Sequence, residues 1–175
     1  ARVQAAKVKR AREFDKLSDN EIYAISGYSD KLGSSDLNAR LRGEPRPTRA
    51  EASVREFAKT VSSGLKKLPS HKGTVYRGLV ASEGIDLQQF QVGRTVRDPA
   101  FVSTVAGSPK RFSRYVDTVF VIESISGKDI SPIAKFPKER EVLFDAGTKF
   151  KVTKIEKNSK IEGKKASSII YLKEQ

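Results

Sequence analysis

The hydrophobic period changes once along this chain, near Gly73, and that switch constrains the fold more than any other feature. Before it, apolar residues recur every three or four positions, as a helix with one buried face requires. Thr48-Arg-Ala-Glu51 forms a capping box that opens such a helix, with Val54, Phe57, Val61, Leu65 and Leu68 along one face and Pro69 ending it. A second capping box, Ser18-Asp-Asn-Glu21, opens a shorter helix carrying Ile22 and Ile25, and residues 34–41 suit another. Gly43-Glu-Pro-Arg-Pro47 reads as a loop. After Gly73 the segments 74–77, 100–104, 118–125, 141–144, 150–155 and 167–172 are short and rich in β-branched and aromatic residues, so they predict strands. Val119-Phe-Val-Ile122 lacks alternation and is expected in the middle of a sheet, covered on both faces. Helices first and strands second predict an α+β fold with the helices packed on one side. At 175 residues the chain suits one core. Residues 1–175 are expected to form one domain, with a basic leader over 1–17, a helical part over 18–70 and a β-rich core over 71–175.

Composition narrows the chemistry. Cys is absent, which removes disulfides, thiol nucleophiles and Cys-ligated metals, and His71 is the single histidine, which leaves little for a His metal site or a Ser-His triad. Any catalysis must rest on carboxylates, hydroxyls and Arg or Lys, and no metal is expected. No apolar run is long enough to span a membrane. The chain starts without Met and residues 1–16 lack an apolar core, so it reads as a piece of a longer precursor whose export signal lies elsewhere.

The net charge is +13, with 15 basic and 9 acidic residues in 1–70 and 19 and 12 in 71–175. This spread excess suits a surface field for acidic partners better than a nucleic-acid footprint. The densest stretch, Lys149 to Lys165, reads as strand and turn and has no aromatic residue interleaved after Phe150 to stack on bases.

Three short constellations could carry chemistry. Lys138-Glu-Arg-Glu141 places two carboxylates at i and i+2 before an apolar strand; on a strand they would share a face and could enter one cleft, or they could be two solvated glutamates. Phe101-Val-Ser-Thr104 sets two hydroxyls in an apolar strand, where each needs a partner or reflects ordinary β-propensity. Tyr76-Arg77-Gly78 ends a strand with an Arg suited to an anion and a glycine that admits close approach.

The order of these three is specific. Aromatic-Arg-Gly, then Phe-x-Ser-Thr after Asp98-Pro99, then Glu-x-Glu before Val-Leu, spaced 26 residues from Arg77 to Ser103 and 38 from Ser103 to Glu141, resembles the Arg/Ser/Glu class of mono-ADP-ribosyltransferases. Phe136-Pro-Lys-Glu-Arg-Glu-Val-Leu143, followed by Gly147-Thr-Lys-Phe-Lys-Val152, looks like the arginine-modifying members. Residues 22–28 and Asn38-Ala-Arg-Leu-Arg42 resemble the N-terminal helices of bacterial toxin and animal ectoenzyme relatives. The resemblance covers about residues 18–172. It departs at Val105, where the family usually carries a further serine.

The resemblance implies N-terminal helices followed by two packed small sheets that form a cleft for NAD, the co-substrate. Arg77 would hold the pyrophosphate and adenine-side ribose, and Gly78 would pair with the nicotinamide carboxamide. Ser103 would orient the catalytic glutamate Glu141, and Thr104 would support the strand. Phe112 would cover nicotinamide, and Arg114, with Arg111 as rival, would sit near phosphate; alternatively residues 109–115 form a short helix whose Phe packs in the core. Glu139 would set arginine specificity, and Phe136 would meet the target. The expected activity is transfer of ADP-ribose from NAD to an arginine of a target protein, releasing nicotinamide, by the toxin domain of a secreted bacterial effector acting in the target cell's cytoplasm. Partners are the target protein and an acidic neutralising protein. NAD hydrolysis, modification of nucleic acid, and an inactive module binding an acidic partner are the alternatives.

Overall fold

The computed structural model describes residues 12–44, 51–80 and 85–175. The cap at Thr48 and the leader through residue 11 lie outside them. Three helices come first: α1 (Asp19–Tyr28), α2 (Lys31–Leu41) and α3 (Glu51–Lys67). The strands follow: β1 (Gly73–Leu79), β2 (Thr95–Arg97), β3 (Val102–Val105), β4 (Thr118–Ser124), β5 (Lys128–Asp129), β6 (Glu141–Phe144), β7 (Lys149–Ile161) and β8 (Lys164–Glu174). They order as β2-β7-β8-β4-β1-β3-β6-β5, with β4 and β8 parallel and the other pairings antiparallel. As its unbroken apolar run predicts, β4 is central, and of its seven residues only Glu123 is exposed. The strand expected over 150–155 runs on to Ile161 and pairs with β8 as a long hairpin, so most of the lysine-rich stretch is strand. Strands β2 and β5 were not expected from the sequence: at three and two residues they are too short to show a period.

Three hydrophobic clusters hold the sheet, the third being Val116, Val119, Val121, Ala166 and Ile169 around β4 and β8. The helices lay Ile22, Ile25, Tyr28, Val61 and Leu65 against Phe101 and Leu143 of the sheet side. Gly64 lets α3 cross α1 closely, because a Cβ there would stand 2.8 Å from Ile25 Cδ1 and 3.1 Å from Glu21 Cβ. On the opposite sheet face, Val75, Val102, Phe120, Ile122, Val142 and Phe144 pack with Phe150 and Val152 of β7. Each fully buried aliphatic or Phe side chain contributes about 1.5–3 kcal/mol. Among the described residues, no helix is long and apolar enough to cross a membrane.

The α1 cap also fastens two helices together. The Glu21 amide donates to Ser18 Oγ at 3.2 Å and the Ser18 amide donates to Glu21 Oε2 at 2.8 Å, completing the expected box. The same carboxylate accepts from Ser63 Oγ at 2.7 Å and from Lys67 Nζ at 2.8 Å on α3. Burial alone would raise this carboxyl, but the bonds from Lys67, Ser18 and Ser63 outweigh it and hold the pKa at about 2, below the ordinary 4.5. A depressed carboxyl pKa contributes stability that is complete above the ordinary value and is lost as pH falls through the folded one. Wild type is therefore expected to lose its stability advantage over Glu21→Gln as pH falls from about 4.5 to about 2. Urea midpoints of both proteins across that range check this, and a constant difference would contradict it.

Candidate active site

A single ladder pair joins the two parts of the sheet. β1 matches β4 at seven positions but meets β3 only at Tyr76↔Val105. Beyond that pair, Arg77 and Gly78 on β1 and Ser103 and Thr104 on β3 are no longer ladder partners, and the sheet divides into β2-β7-β8-β4-β1 and β3-β6-β5. The expected two small sheets are these halves, hydrogen-bonded into one sheet at this hinge point. Arg77-Gly78 and Ser103-Thr104 border the split, and Glu141 lies one strand further on, across β3 on β6.

On the β3–β6 side, register brings the hydroxyls and carboxylate together. Ser103 faces Leu143 and Val105 faces Glu141, so Ser103 and Glu141 are diagonal neighbours on the helix-side face. Ser103 Oγ donates to Glu141 Oε1 at 2.6 Å, and Thr104 Oγ1 donates to the Val142 carbonyl at 2.6 Å. Both strand hydroxyls thus have partners. Glu141 is 8% exposed. Burial pushes its carboxyl above the usual value, the Ser103 hydrogen bond opposes that, and the nearby Glu139 charge pushes it further up. Such a group holds a charge that its surroundings under-compensate, an arrangement common at functional sites.

The pairing of Glu139 with Glu141 differs from the sequence reading. The strand begins only at Glu141; Glu139 ends a short 3-10 turn, Pro137–Glu139, and Arg140 between them is left-handed, with φ 53. The two carboxylates therefore do not share a strand face: Glu141 is buried against Ser103 and Glu139 is exposed. Phe136 precedes the turn and is 45% exposed, while Ile130, Ile133 and Ala134 just before it are buried in the helix-side core. The tip is presented on an anchored base. The Lys135 amide adds a bond to Ser29 Oγ at 2.7 Å.

On the β1 side, Arg77 is half-buried and lines a solvent-open cleft of about 840 Å³. Residues from both halves form it, including Val102 of β3, Phe120 of β4 and Phe150 of β7; of the expected NAD-binding and catalytic residues Arg77 alone lines it, while Gly78, Ser103, Phe112 and Glu141 do not. Arg42 at the end of α2 grips Asp98 in a two-pronged pair, Nε to Oδ1 at 3.1 Å and Nη2 to Oδ2 at 2.7 Å, and both line the cleft. Phe90 contributes an aromatic wall, 4.9 Å from the Phe120 ring. In the helix-side core, Tyr28 is fully buried, edge-on to Phe101 at 5.3 Å and accepting from Asn38 Nδ2 at 2.9 Å. Burial raises its hydroxyl well above the ordinary range, while Asn38, Arg77 and Arg42 pull it down and Glu141 pushes it up. Arg77, Arg42 and Glu141 are thus all near enough to act on the Tyr28 hydroxyl by charge. The sequence motifs did not single out Tyr28, Phe90 or Asp98 for the site, and Arg42 only as part of a helix; they come from distant segments without a local pattern.

Gly78 is needed for close packing. A Cβ there would meet Phe112 Cδ2 at 2.9 Å and Val116 Cγ1 at 2.9 Å. Gly78→Ala is expected to cost about 1–3 kcal/mol of stability as those side chains are pushed aside. An unchanged urea midpoint would show that Phe112 yields freely. Residues 109–115 do not form a full helix: Pro109–Arg111 is one 3-10 turn, and Phe112 beyond it is half-buried over Gly78. Arg114 is exposed and engages Tyr115, donating Nη2 to its hydroxyl at 2.7 Å with the guanidinium 4.9 Å from the ring centre. Arg111 is exposed beside it.

Residues 2–175 match the family model described as NAD:arginine ADP-ribosyltransferase. The chain belongs to this family. It is 38% identical over 143 residues to the NAD(+)--protein-arginine ADP-ribosyltransferase Tre1 of Serratia proteamaculans, covering 81% of this chain and 30% of that one. Against the type III effector XopAI of Xanthomonas axonopodis pv. citri the TM-score is 0.76 at 25% identity, covering 99% of this chain and 71% of that one. The ADP-ribosyltransferase Vis in complex with agmatine gives 0.68 at 26%, covering 99% and 82%. The chain spans less than a third of the Tre1 relatives of Serratia proteamaculans and Pseudomonas putida.

Proposed function

We propose that this chain is a catalytic unit that transfers ADP-ribose from NAD to the guanidinium of an arginine on a target protein and releases nicotinamide. The observation that carries the reading is the buried Glu141 carboxylate bonded to Ser103 at 2.6 Å beside the split between β1 and β3. Family membership and the arginine-directed relatives support the choice of reaction.

Nicotinamide sits against Gly78 and Phe112, next to Glu141, and the rest of NAD extends toward Arg77. The Arg77 guanidinium binds the pyrophosphate, and the walls of Phe90 and Phe120 suit a planar base. Arg114 or Arg111 adds a second phosphate contact. Breakage of the C1′–N bond returns its electron pair to nicotinamide, which leaves neutral, and positive charge develops on the ribose. Glu141, oriented by Ser103, accepts from the ribose 2′-hydroxyl and stabilises that cation more than the ground state. Thr104 fixes the strand that carries Ser103. A guanidinium has a pKa above about 12, so an ordinary carboxylate cannot deprotonate it beforehand. Glu139 instead directs a guanidinium nitrogen at C1′, and a proton leaves it for Glu139 as the new C1′–N bond forms. Phe136 stacks on the arriving arginine or its surroundings. The Vis structure contains agmatine, a small guanidinium compound, which fits such an acceptor.

This single domain serves a longer bacterial effector that works in the cytoplasm of the cell it enters, and its +13 charge favours acidic partners, a neutralising protein among them. The test is labelled NAD incubated with the protein and a bacterial lysate, followed by protease or RNase. Label released by protease alone supports the reading. Label released by RNase alone would move the acceptor to nucleic acid, and nicotinamide release without any labelled macromolecule would reduce the activity to hydrolysis.

A further inference from the structure

We infer that Arg140 is a positioning residue whose left-handed backbone, rather than its guanidinium, divides transfer to arginine from hydrolysis of NAD. The inference rests on the roles given above to Glu139 and Glu141. Its basis is the way the chain is held on either side of Arg140. The Glu139 amide donates to the Phe136 carbonyl at 3.0 Å and the Arg140 amide to the Pro137 carbonyl at 3.2 Å, closing the turn. The Arg140 carbonyl then accepts from the Ala106 amide at 3.0 Å, just past β3, and the Glu141 carbonyl accepts from the Ile130 amide at 3.0 Å. Four backbone bonds thus fix a φ of 53 and a ψ of 50 at a residue that carries a Cβ.

Left-handed backbone is disfavoured for such residues, least for Asn and Asp and most for β-branched side chains, whereas glycine adopts it freely. A non-glycine residue there marks a place where the surroundings over-determine the chain, as they do at functional sites. The consequence here is specific. An extended residue at 140 would put both carboxylates on one strand face. The left-handed residue instead leaves Glu141 buried against Ser103 and turns Glu139 out to solvent. One carboxylate faces the donor sugar and the other faces the acceptor. Glu141 has its own anchors, the Ser103 hydroxyl and the Ile130 amide, so a change at 140 falls chiefly on Glu139.

The experiment measures NAD hydrolysis and transfer to polyarginine in parallel for wild type, Arg140→Gly, Arg140→Asn and Arg140→Val, with a thermal melt of each. A displacement of about 1 Å in a positioned group costs about 10²-fold. Arg140→Val is expected to lose transfer by roughly 10-fold to 10²-fold while hydrolysis stays within about threefold, and Gly and Asn are expected to keep the wild-type ratio within about twofold. Arg140→Thr, which is β-branched but smaller than Val, is read in the same way and decides the matter should the Val protein not fold. A β-branched variant that keeps the ratio would overturn the inference. Gly and Asn variants that lose it like Val would overturn it too, by assigning the effect to the guanidinium. A wild type that neither hydrolyses nor transfers would instead defeat the roles of Glu139 and Glu141, and this inference with them.

Discussion

Glu141→Gln is expected to lower both nicotinamide release and transfer by about 10²- to 10³-fold, equivalent to about 2.7–4 kcal/mol of transition-state stabilisation. The amide keeps the shape and can still accept from Ser103, so the loss isolates the charge. Burial raises the Glu141 carboxyl, which means that the fold holds this charge at some cost and recovers it when the sugar becomes cationic. Two consequences distinguish this from ordinary damage. The folded pKa lies above the unfolded one, so this group's contribution to stability is greatest below the unfolded value and declines as pH rises through the folded value. At neutral pH the Gln variant should therefore melt no lower than wild type despite its lost activity. In wild type, kcat/KM for hydrolysis should fall as pH drops through the raised pKa, because the working form is ionised. A Gln variant that unfolds readily while its folded fraction remains active would contradict the assignment.

Glu139→Gln is the second large effect, and its signature is selective. Glu139 is exposed and does not bond the strand hydroxyls, so the donor side should remain intact. Transfer to polyarginine is expected to fall by about 10²-fold or more, since both orientation of the acceptor and proton removal are lost. Hydrolysis should continue near the wild-type rate, with water taking the place of the guanidinium. Measuring both products in one reaction removes the effects of protein concentration and folding. Equal loss of both would place Glu139 on the donor side, and unchanged transfer would remove it from the site.

Much of this architecture was legible because it rests on local patterns. The period of three and four in Val54, Val61 and Leu65 formed α3, and the unbroken Val119 to Ile122 run marked the central strand. Ser103 and Glu141 could be paired through family spacing, and the register Val105↔Glu141 shows why that spacing works. Other features had no local signal. The split beyond Tyr76↔Val105 is a property of how two strands diverge, and neither strand's sequence records it. Arg140 looks like any exposed Arg, so the turn that parts the two glutamates was hidden behind an i, i+2 pattern. Arg42 and Asp98 meet across 56 residues, and Tyr28 reads as helix core although the charges of Arg77 and Glu141 act on its hydroxyl. The basic excess lies away from the cleft, where Arg42, Arg77 and Arg97 are matched by Glu44, Asp86 and Asp98, and part of it sits on the long hairpin as exposed lysines such as Lys151 and Lys173.

The most direct test of the central claim is the intact mass of agmatine incubated with the protein and NAD, with nicotinamide followed in the same sample. The account predicts agmatine heavier by one ADP-ribosyl group with wild type, no adduct but continued nicotinamide release with Glu139→Gln, and neither with Glu141→Gln. Nicotinamide release without any adduct from the wild-type protein, or an adduct formed equally well by Glu141→Gln, would contradict it.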